Sequence, residues 1–222
     1  MDLTYIFDFD NTLVSVESLD ELARMSLERA DDKETRLAEF VEITNQGMNG
    51  TLAFDESLRR RLATLNVTRD DVHKLTELLK DTITDSALEC EEWFDENADN
   101  IYVVSGGFED YIIPVVEELG ISASHVFANR FVYDNKGLVI GFDTNSNLSK
   151  PQGKVLQVAE LELPSPIIMV GDGMTDYEVR SKGEADEFWA FTQHVARPVV
   201  VERADRVLAS FEEIEEIAEL IS

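Results

Sequence analysis

The chain has 222 residues with a formal net charge of −27, and 44% of its residues are hydrophobic. That apolar content is enough for a globular core, so the acidity does not indicate a disordered acidic chain. The charge disfavours nucleic acid and anionic membranes as partners, and because the sequence has neither a run of about 18 apolar residues nor a signal-like N-terminus, we expect a cytoplasmic protein.

Predicted strands and helices alternate along the chain. Four short apolar runs end at polar or glycine-rich positions, as buried strands do: Leu3–Phe9, Ile101–Val104, Ile167–Val170 and Phe188–Phe191. Helical patterns follow the second and third runs. This order predicts a doubly wound α/β fold with a mainly parallel, Rossmann-like sheet, in which ligands bind outside the carboxyl ends of the strands.

Residues 15–85, between the first two strands, show helical spacing and breaks but no comparable strand signal. We therefore predict an α/β core domain of residues 1–14 and 86–222, with residues 15–85 forming a helical cap inserted after the first strand. Farther on, two short strands around Asp134–Gly137 predict a hairpin, and one-sided apolar spacing from Phe211 to Ile221 predicts a docking helix.

Paired carboxylates follow two of the predicted strands. Asp8 and Asp10 follow the first strand, and Asp172 and Asp176 follow Ile167–Val170. Four carboxylates at strand ends repel one another unless a cation lies among them. Magnesium binds carboxylates, waters and phosphate oxygens, so we predict a Mg²⁺ cofactor held by Asp8, Asp172 and the main chain at Asp10.

Two further positions are suited to phosphate. Ser105-Gly106-Gly107 follows the second strand and precedes a helix, which places a hydroxyl and backbone N–H groups at the predicted cleft. Lys154 begins a later helical stretch and offers a compact positive charge, with Lys150 as the second candidate. An ordinary turn and an ordinary surface lysine are the alternative interpretations of these two features.

These residues together predict phosphoryl transfer through a covalent intermediate. Asp8 would attack phosphorus to form an aspartyl-phosphate. Asp10 would protonate the leaving alkoxide and then deprotonate the attacking water. Lys154, Ser105 and the loop N–H groups would offset charge on the phosphoryl oxygens.

In this order the motifs resemble those of the haloacid dehalogenase superfamily of phosphatases, over most of the chain. The segments are Asp8-Phe-Asp-Asn-Thr12, Ser105-Gly-Gly, Lys154 and Gly171-Asp-Gly-Met-Thr-Asp176. The resemblance implies a magnesium-dependent phosphomonoesterase for a small phosphorylated substrate, with Thr12 and Asp176 as supporting residues. Four further segments resemble those of the superfamily members that hydrolyse phosphoserine: Glu17–Ala23, Gly47–Gly50, Phe54–Arg61 and Val104–Phe108.

The closer resemblance implies a set of substrate contacts. Glu17 would hold the substrate ammonium and Arg61 its carboxylate, while Met48 and Phe54 would shield the cleft. The groups implied near the phosphate are Ser105, Gly106, Lys154 and Thr175.

Other interpretations stay open at this point. Arg61 could pair with acidic neighbours on a helix surface, and Glu17 could complement a helix dipole. A related phosphatase or phosphotransferase acting on another small phosphate, and a signalling receiver that retains phosphate on Asp8, are the competing functions. The sequence leaves the oligomeric state open.

Overall fold

The computed structural model describes residues 3–28, 30–48 and 51–221, without the side chains of Met48, Glu219 and Ile221. Six strands form a parallel sheet in the order β3-β2-β1-β6-β7-β8. Their bounds are β1 Thr4–Phe7, β2 Ile101–Phe108, β3 Val126–Asn129, β6 Ile167–Gly171, β7 Glu187–Phe191 and β8 Arg206–Leu208. A separate antiparallel pair is formed by β4 Phe131–Tyr133 and β5 Val139–Phe142.

The helices alternate with these strands in the core and follow one another directly between β1 and β2. The first five are α1 Ser18–Ser26, α2 Lys33–Met48, α3 Phe54–Ala63, α4 Arg69–Lys80 and α5 Asp85–Glu89. The remainder are α6 Glu91–Asn97, α7 Glu109–Val116, α8 Gly153–Leu161, α9 Met174–Ser181, α10 Pro198–Val201 and α11 Glu212–Ile221. The predicted doubly wound α/β fold is confirmed.

Strand β1 is an inner strand, paired with β2 and β6, and all four of its side chains are buried. Tyr5 and Phe7 face a cluster that includes Phe94 of α6 and Phe211 before α11. Ile6 faces the opposite cluster, with side chains of α8, α9 and α10. Alternate residues of one strand therefore anchor both helical layers, as burial of a parallel sheet on both faces requires.

The strand order changes direction at β1. Strands β2 and β3 follow on one side of it, and β6, β7 and β8 follow on the other. Tyr5 pairs with Ile101 of β2 on one side and with Ile168 of β6 on the other. Crevices form at such a switch point because the connections leave in opposite directions. The carboxyl ends of β1 and β6 therefore lie side by side at the position where the sequence predicted a ligand.

The segment after β1 leaves the sheet and returns to it beside its point of departure. Val14 and Ile83 form an antiparallel bridge. The Ser15 N–H donates to the Thr82 carbonyl at 2.8 Å, and the Thr84 N–H donates to the Leu13 carbonyl at 2.9 Å. Helices α1 to α4 lie between these two crossings, and the exact division into a core and a cap of residues 15–85 stays a prediction.

The β4–β5 hairpin, which the sequence predicted, also contacts the helical segment. The Val139 N–H donates to the Val67 carbonyl at 2.8 Å, and the Arg69 N–H donates to the Gly137 carbonyl at 3.0 Å. The Arg69 guanidinium lies 3.7 Å from the centre of the Tyr133 ring. Residues 67–69, at the start of α4, are thus bonded to the hairpin.

Two boundaries differ from the sequence prediction. Strand β2 runs on through Ser105 to Phe108, with a register shift after Val104, instead of ending before the serine. A bulge of this kind continues the strand while re-aiming its side chains. Helix α7 ends at Val116 although it contains Pro114, and a short 3₁₀ turn follows that closes on Gly120 in the left-handed conformation.

Candidate active site

Asp8 is positioned by the end of the central strand. Its backbone N–H donates to the Val170 carbonyl at 2.9 Å, which extends the β1–β6 pairing by one residue. Its Oδ1 accepts from the Phe9 N–H at 2.7 Å. The carboxylate is therefore held at the switch point of the sheet, where the chain turns away from β1.

Three carboxylates meet at this point. Asp8, Asp172 and Asp176 each offer an oxygen, and those oxygens lie within 4.8 Å of one another. Asp172 and Asp176 are buried. Burial raises the pKa of Asp176 to about 7, Asp8 adds to the rise, and Lys154 opposes it.

Glycine at position 171 allows this close arrangement. A Cβ placed there would lie 2.3 Å from Oδ2 of Asp176, which no side chain can accommodate. The same Oδ2 accepts the Gly173 N–H at 2.9 Å. Asp176 is thereby fixed at the start of α9 with its carboxylate directed to the end of β6.

Lys154 supplies the positive charge of the cluster. Its Nζ lies 2.7 Å from Oδ1 of Asp8 and 2.6 Å from Oδ1 of Asp176. Burial opposes ionisation of the ammonium, but the two carboxylates prevail and raise the pKa of Lys154 above its ordinary value. The lysine is therefore a buried cation paired with two carboxylates, and the contact with phosphate that the sequence predicted for it stays a prediction.

Asp10 faces the first helix after β1. Its Oδ1 accepts the Ser18 N–H at 2.9 Å, and the Ser18 hydroxyl donates to the Tyr111 hydroxyl at 2.9 Å. Burial raises the pKa of Asp10 well above its ordinary value, and the charges of Glu17 and Asp8 raise it further. A raised pKa favours the protonated form of the carboxyl group, which is the form that a general acid needs.

Glu17 lies at the amino end of α1, beside residues 8–12, which leave β1 with the two predicted catalytic aspartates and are named the catalytic loop. Its Oε1 accepts the Asn11 side-chain N–H at 2.6 Å. Half of the Glu17 side chain is exposed. Desolvation by the surrounding chain raises the pKa of Glu17, and the carboxylates of Asp8 and Asp20 act in the same direction.

Arg61 on α3 faces the same acidic region. Burial lowers the pKa of Arg61, whereas the charges of Asp20 and Glu17 oppose that effect. Its Nε is buried and has no hydrogen-bond partner among the described residues. A buried donor without a partner is unusual and is consistent with a place for a ligand. Arg59 and Arg60, by contrast, form ion pairs with Glu56 on the surface of α3.

Phe54 brings the helical segment to the Ser105-Gly-Gly motif. A Cβ placed at Gly106 would lie 3.7 Å from Cζ of Phe54, so the ring covers this glycine. Ser105 is buried, and its Oγ accepts the Gly107 N–H at 3.0 Å. The side chain of Met48, the second residue expected to shield the cleft, lies outside the described residues.

Thr12 and Thr175 occupy contrasting environments. Thr12 is fully buried, and its carbonyl accepts the Thr84 hydroxyl at 2.6 Å, which ties the catalytic loop to the returning chain. Thr175 is exposed in the first turn of α9. A support role for the first and a substrate contact for the second stay predictions.

The sequence analysis missed Arg197, which precedes α10. Its guanidinium forms an ion pair with the Asp172 carboxylate, and Nη1 donates to the Asp172 carbonyl at 3.1 Å. Nη2 lies 3.7 Å from Oε1 of Glu17. The Arg197-Pro198 step in the polar loop after β7 is the available signal, since that loop also lies at the carboxyl edge of the sheet.

The carboxylate cluster fits a hard divalent cation. The donor set of Asp8, Asp172 and Asp176 consists of oxygen ligands, which Mg²⁺ prefers. Asp10 contributes its carboxylate to Ser18 instead of to this cluster. Participation of Asp10 through its main chain stays a prediction.

The comparisons with known proteins agree with one another on the kind of protein that this chain resembles. The family model for haloacid dehalogenase-like hydrolases matches residues 5–181. A phosphoserine phosphatase of Drosophila melanogaster is 31% identical over 212 residues, which cover 94% of this chain and 75% of that protein.

Two solved structures share the whole architecture. A phosphoserine phosphohydrolase-like protein of Francisella tularensis superposes with a TM-score of 0.81 at 28% identity, covering 99% of both chains. A phospho-aspartyl intermediate analogue of phosphoserine phosphatase superposes with a TM-score of 0.73 at 29% identity, covering 97% of this chain and 98% of that one.

Proposed function

The chain belongs to the haloacid dehalogenase-like hydrolase family, and on that premise we propose that it hydrolyses phosphoserine to serine and phosphate in the last step of serine biosynthesis. The family membership together with the 31% identity to phosphoserine phosphatases shows an enzyme that hydrolyses phosphoesters. The observation that carries the proposal is the position of Lys154 between Asp8 and Asp176, since it places a permanent cation beside a carboxylate nucleophile.

The first half-reaction transfers the phosphoryl group to the protein. An oxygen of Asp8 forms a bond to phosphorus while the bond from phosphorus to the serine oxygen breaks. Asp10 delivers its proton to that leaving oxygen, and its raised pKa favours the protonated form that this step needs. Lys154 offsets negative charge at the nucleophile and at the phosphoryl oxygens.

The second half-reaction restores the enzyme. Asp10, now ionised, accepts a proton from water as the water oxygen bonds to phosphorus and the bond to Asp8 breaks. Asp8, Asp172 and the main chain at Asp10 would hold Mg²⁺. Asp176 lies in the same carboxylate cluster. The bound ion would neutralise charge on the phosphoryl group and orient it for in-line attack.

Substrate choice is assigned to residues of the helical segment. Arg61, with its buried and unpartnered Nε, is suited to bind the carboxylate of phosphoserine. Glu17 offers the opposite charge for the ammonium. Phe54 lies over Gly106 and would exclude water from the phosphate, as we also expect of Met48.

Phosphate release from a panel of small phosphomonoesters with Mg²⁺ tests this assignment. We expect phosphoserine to have the highest kcat/KM, and Arg61→Lys to lower the ratio of phosphoserine to aryl phosphate efficiency, because an ammonium cannot replace the planar guanidinium. Arg59→Lys on the same helix is the matched control, since Arg59 is exposed and paired with Glu56. A different preferred phosphoester would leave the chemistry intact and reassign the substrate.

A further inference from the structure

Asn11 directly follows Asp10, the second of the two proposed catalytic aspartates, and contacts the residue assigned to the substrate ammonium. Its side-chain N–H donates to Oε1 of Glu17 at 2.6 Å. Asn11 is 5% exposed, so its amide is fixed by the surrounding loop. Glu17 is half exposed at the start of α1, and Nη2 of Arg197 lies 3.7 Å from the same Oε1, so the Asn11 amide makes the shorter of these two contacts.

The backbone at Asn11 explains why the amide can reach Glu17. Its φ is 54°, in the left-handed region that asparagine tolerates better than most other residues. The Asn11 N–H also donates to the Val16 carbonyl at 3.4 Å, so the loop folds back to the residue before Glu17. The catalytic loop and the amino end of α1 therefore form one unit.

We propose that Asn11 is a positioning residue that orients Glu17 for the ammonium of the substrate. The inference rests on the proposed function, and it adds a specificity role for a residue of the catalytic loop. The bond occupies Oε1 and leaves Oε2 as the acceptor for the ammonium. A carboxylate that is already oriented loses less side-chain entropy when it binds, so the contact favours substrates that carry a positive charge.

The alternative residues at this position clarify the role of the amide. Aspartate has nearly the same shape but lacks the N–H donor and would repel Glu17. Glycine accepts the positive φ without strain but has no side chain to reach Glu17. Asn11→Gly therefore removes the contact while leaving the loop free to keep its backbone conformation.

The contribution of the ammonium can be measured with two substrates, each of which keeps the phosphate and only one of the two charged groups at the amino acid end of phosphoserine. O-phosphoethanolamine has the ammonium without the carboxylate, and 2-phosphoglycolate has the carboxylate without the ammonium. We expect Asn11→Gly to lower the kcat/KM for O-phosphoethanolamine, divided by that for 2-phosphoglycolate, by about three- to tenfold, as loss of one hydrogen bond implies. Any effect of the substitution on the shared phosphoryl chemistry cancels in this ratio.

The same measurement in a Glu17→Ala background decides whether Asn11 acts through Glu17. With no carboxylate to orient, Asn11→Gly should leave the ratio unchanged. An equal fall in both backgrounds, or an unchanged ratio in the single variant, would overturn the proposal. The change should also appear in KM for O-phosphoethanolamine more than in kcat, since the ammonium contact exists before the reaction.

The wild-type panel separates this inference from the proposed function. One outcome is that the wild type hydrolyses phosphoserine, but its kcat/KM for O-phosphoethanolamine relative to 2-phosphoglycolate is no higher than that of the Asn11→Gly variant. In that case the role of Asn11 is wrong and the proposed function stands. If the wild type does not hydrolyse phosphoserine, both are wrong.

Discussion

The ammonium of Lys154 lies 2.7 Å from Oδ1 of Asp8, so the predicted nucleophile and the buried cation form a direct ion pair. The same ammonium lies 2.6 Å from Asp176, which links β1, α8 and α9 through one side chain. Lys154 is therefore expected to affect both stability and activity, because the cation that pairs with the buried carboxylates is also the one that we propose binds the phosphoryl group.

Lys154→Gln should lower kcat by at least about a hundredfold, because one fixed charge at the reacting group is lost. It should also lower the free energy of unfolding by about 3–5 kcal/mol, since two buried carboxylates lose their partner. Phosphate release and urea unfolding measure the two effects. Lys150→Gln is the control, because Lys150 bonds the Asn145 carbonyl on the surface. Equal effects of the two substitutions would refute the role of Lys154.

Magnesium binding should release protons below about pH 7. The pKa of Asp176 is raised to about 7 from its ordinary value of 3.8, so without Mg²⁺ the folded protein retains a proton that the unfolded chain loses near pH 4. The associated stability is present below about pH 4 and is lost as pH rises through 7. A divalent cation favours the ionised carboxylate and expels the proton.

Calorimetric titration at pH 6 in buffers of different ionisation enthalpy counts the released protons. We expect proton release that falls towards zero at pH 8 and is reduced in Asp176→Asn. Binding without proton release at pH 6 would contradict the raised pKa of Asp176.

Arg197→Gln should tighten Mg²⁺ binding, because the guanidinium and the metal share the Asp172 carboxylate. We expect a gain of about 1 kcal/mol, or roughly fivefold in Kd. Titration calorimetry with Arg203→Gln as control separates this effect from a general change of charge, since Arg203 bonds the Val199 carbonyl on the surface of α10. Weaker binding in Arg197→Gln would show that Arg197 supports Asp172 as a ligand.

Added salt should stabilise the folded chain. A net charge of −27 destabilises a compact state through self-repulsion, and 1 M salt shortens the Debye length from about 10 Å at 0.1 M to about 3 Å. We expect about 2 kcal/mol of added stability, or a Tm higher by about 4–8 °C. Thermal unfolding in NaCl and in KCl measures it, with equal shifts expected from both. A constant Tm would contradict the self-repulsion.

Much of the fold and part of the site follow from local sequence patterns. Apolar runs that end at carboxylates indicate strands with functional carboxyl ends, which is why Asp8 and Asp172 could be predicted to meet. Lys154 could be predicted as a positive charge at a helix start, although its contacts with both carboxylates depend on the packing of α8. No helix in the described part of the chain is long and apolar enough to cross a membrane.

The contacts that the sequence did not reveal join segments far apart in the chain. Arg197 reaches Asp172 and Glu17 across 25 and 180 positions, and Tyr111 reaches Ser18 across 93. None of these three contacts belongs to a local period of hydrophobicity or a turn motif. The continuation of β2 through Ser105 was likewise hidden, because Ser-Gly-Gly is more typical of a turn than of a strand.

We propose that Asp8 becomes covalently phosphorylated during turnover and that Asp10 promotes hydrolysis of the intermediate. The direct test uses Asp10→Asn with an aryl phosphate whose phenolate leaves without a proton, so that the first step proceeds while the second is slowed. We predict a burst of one phenolate per enzyme and, after acid quenching, one phosphoryl group on the peptide that contains Asp8. Absence of the phosphoryl-enzyme, or a phosphoryl group on another residue, would contradict the account.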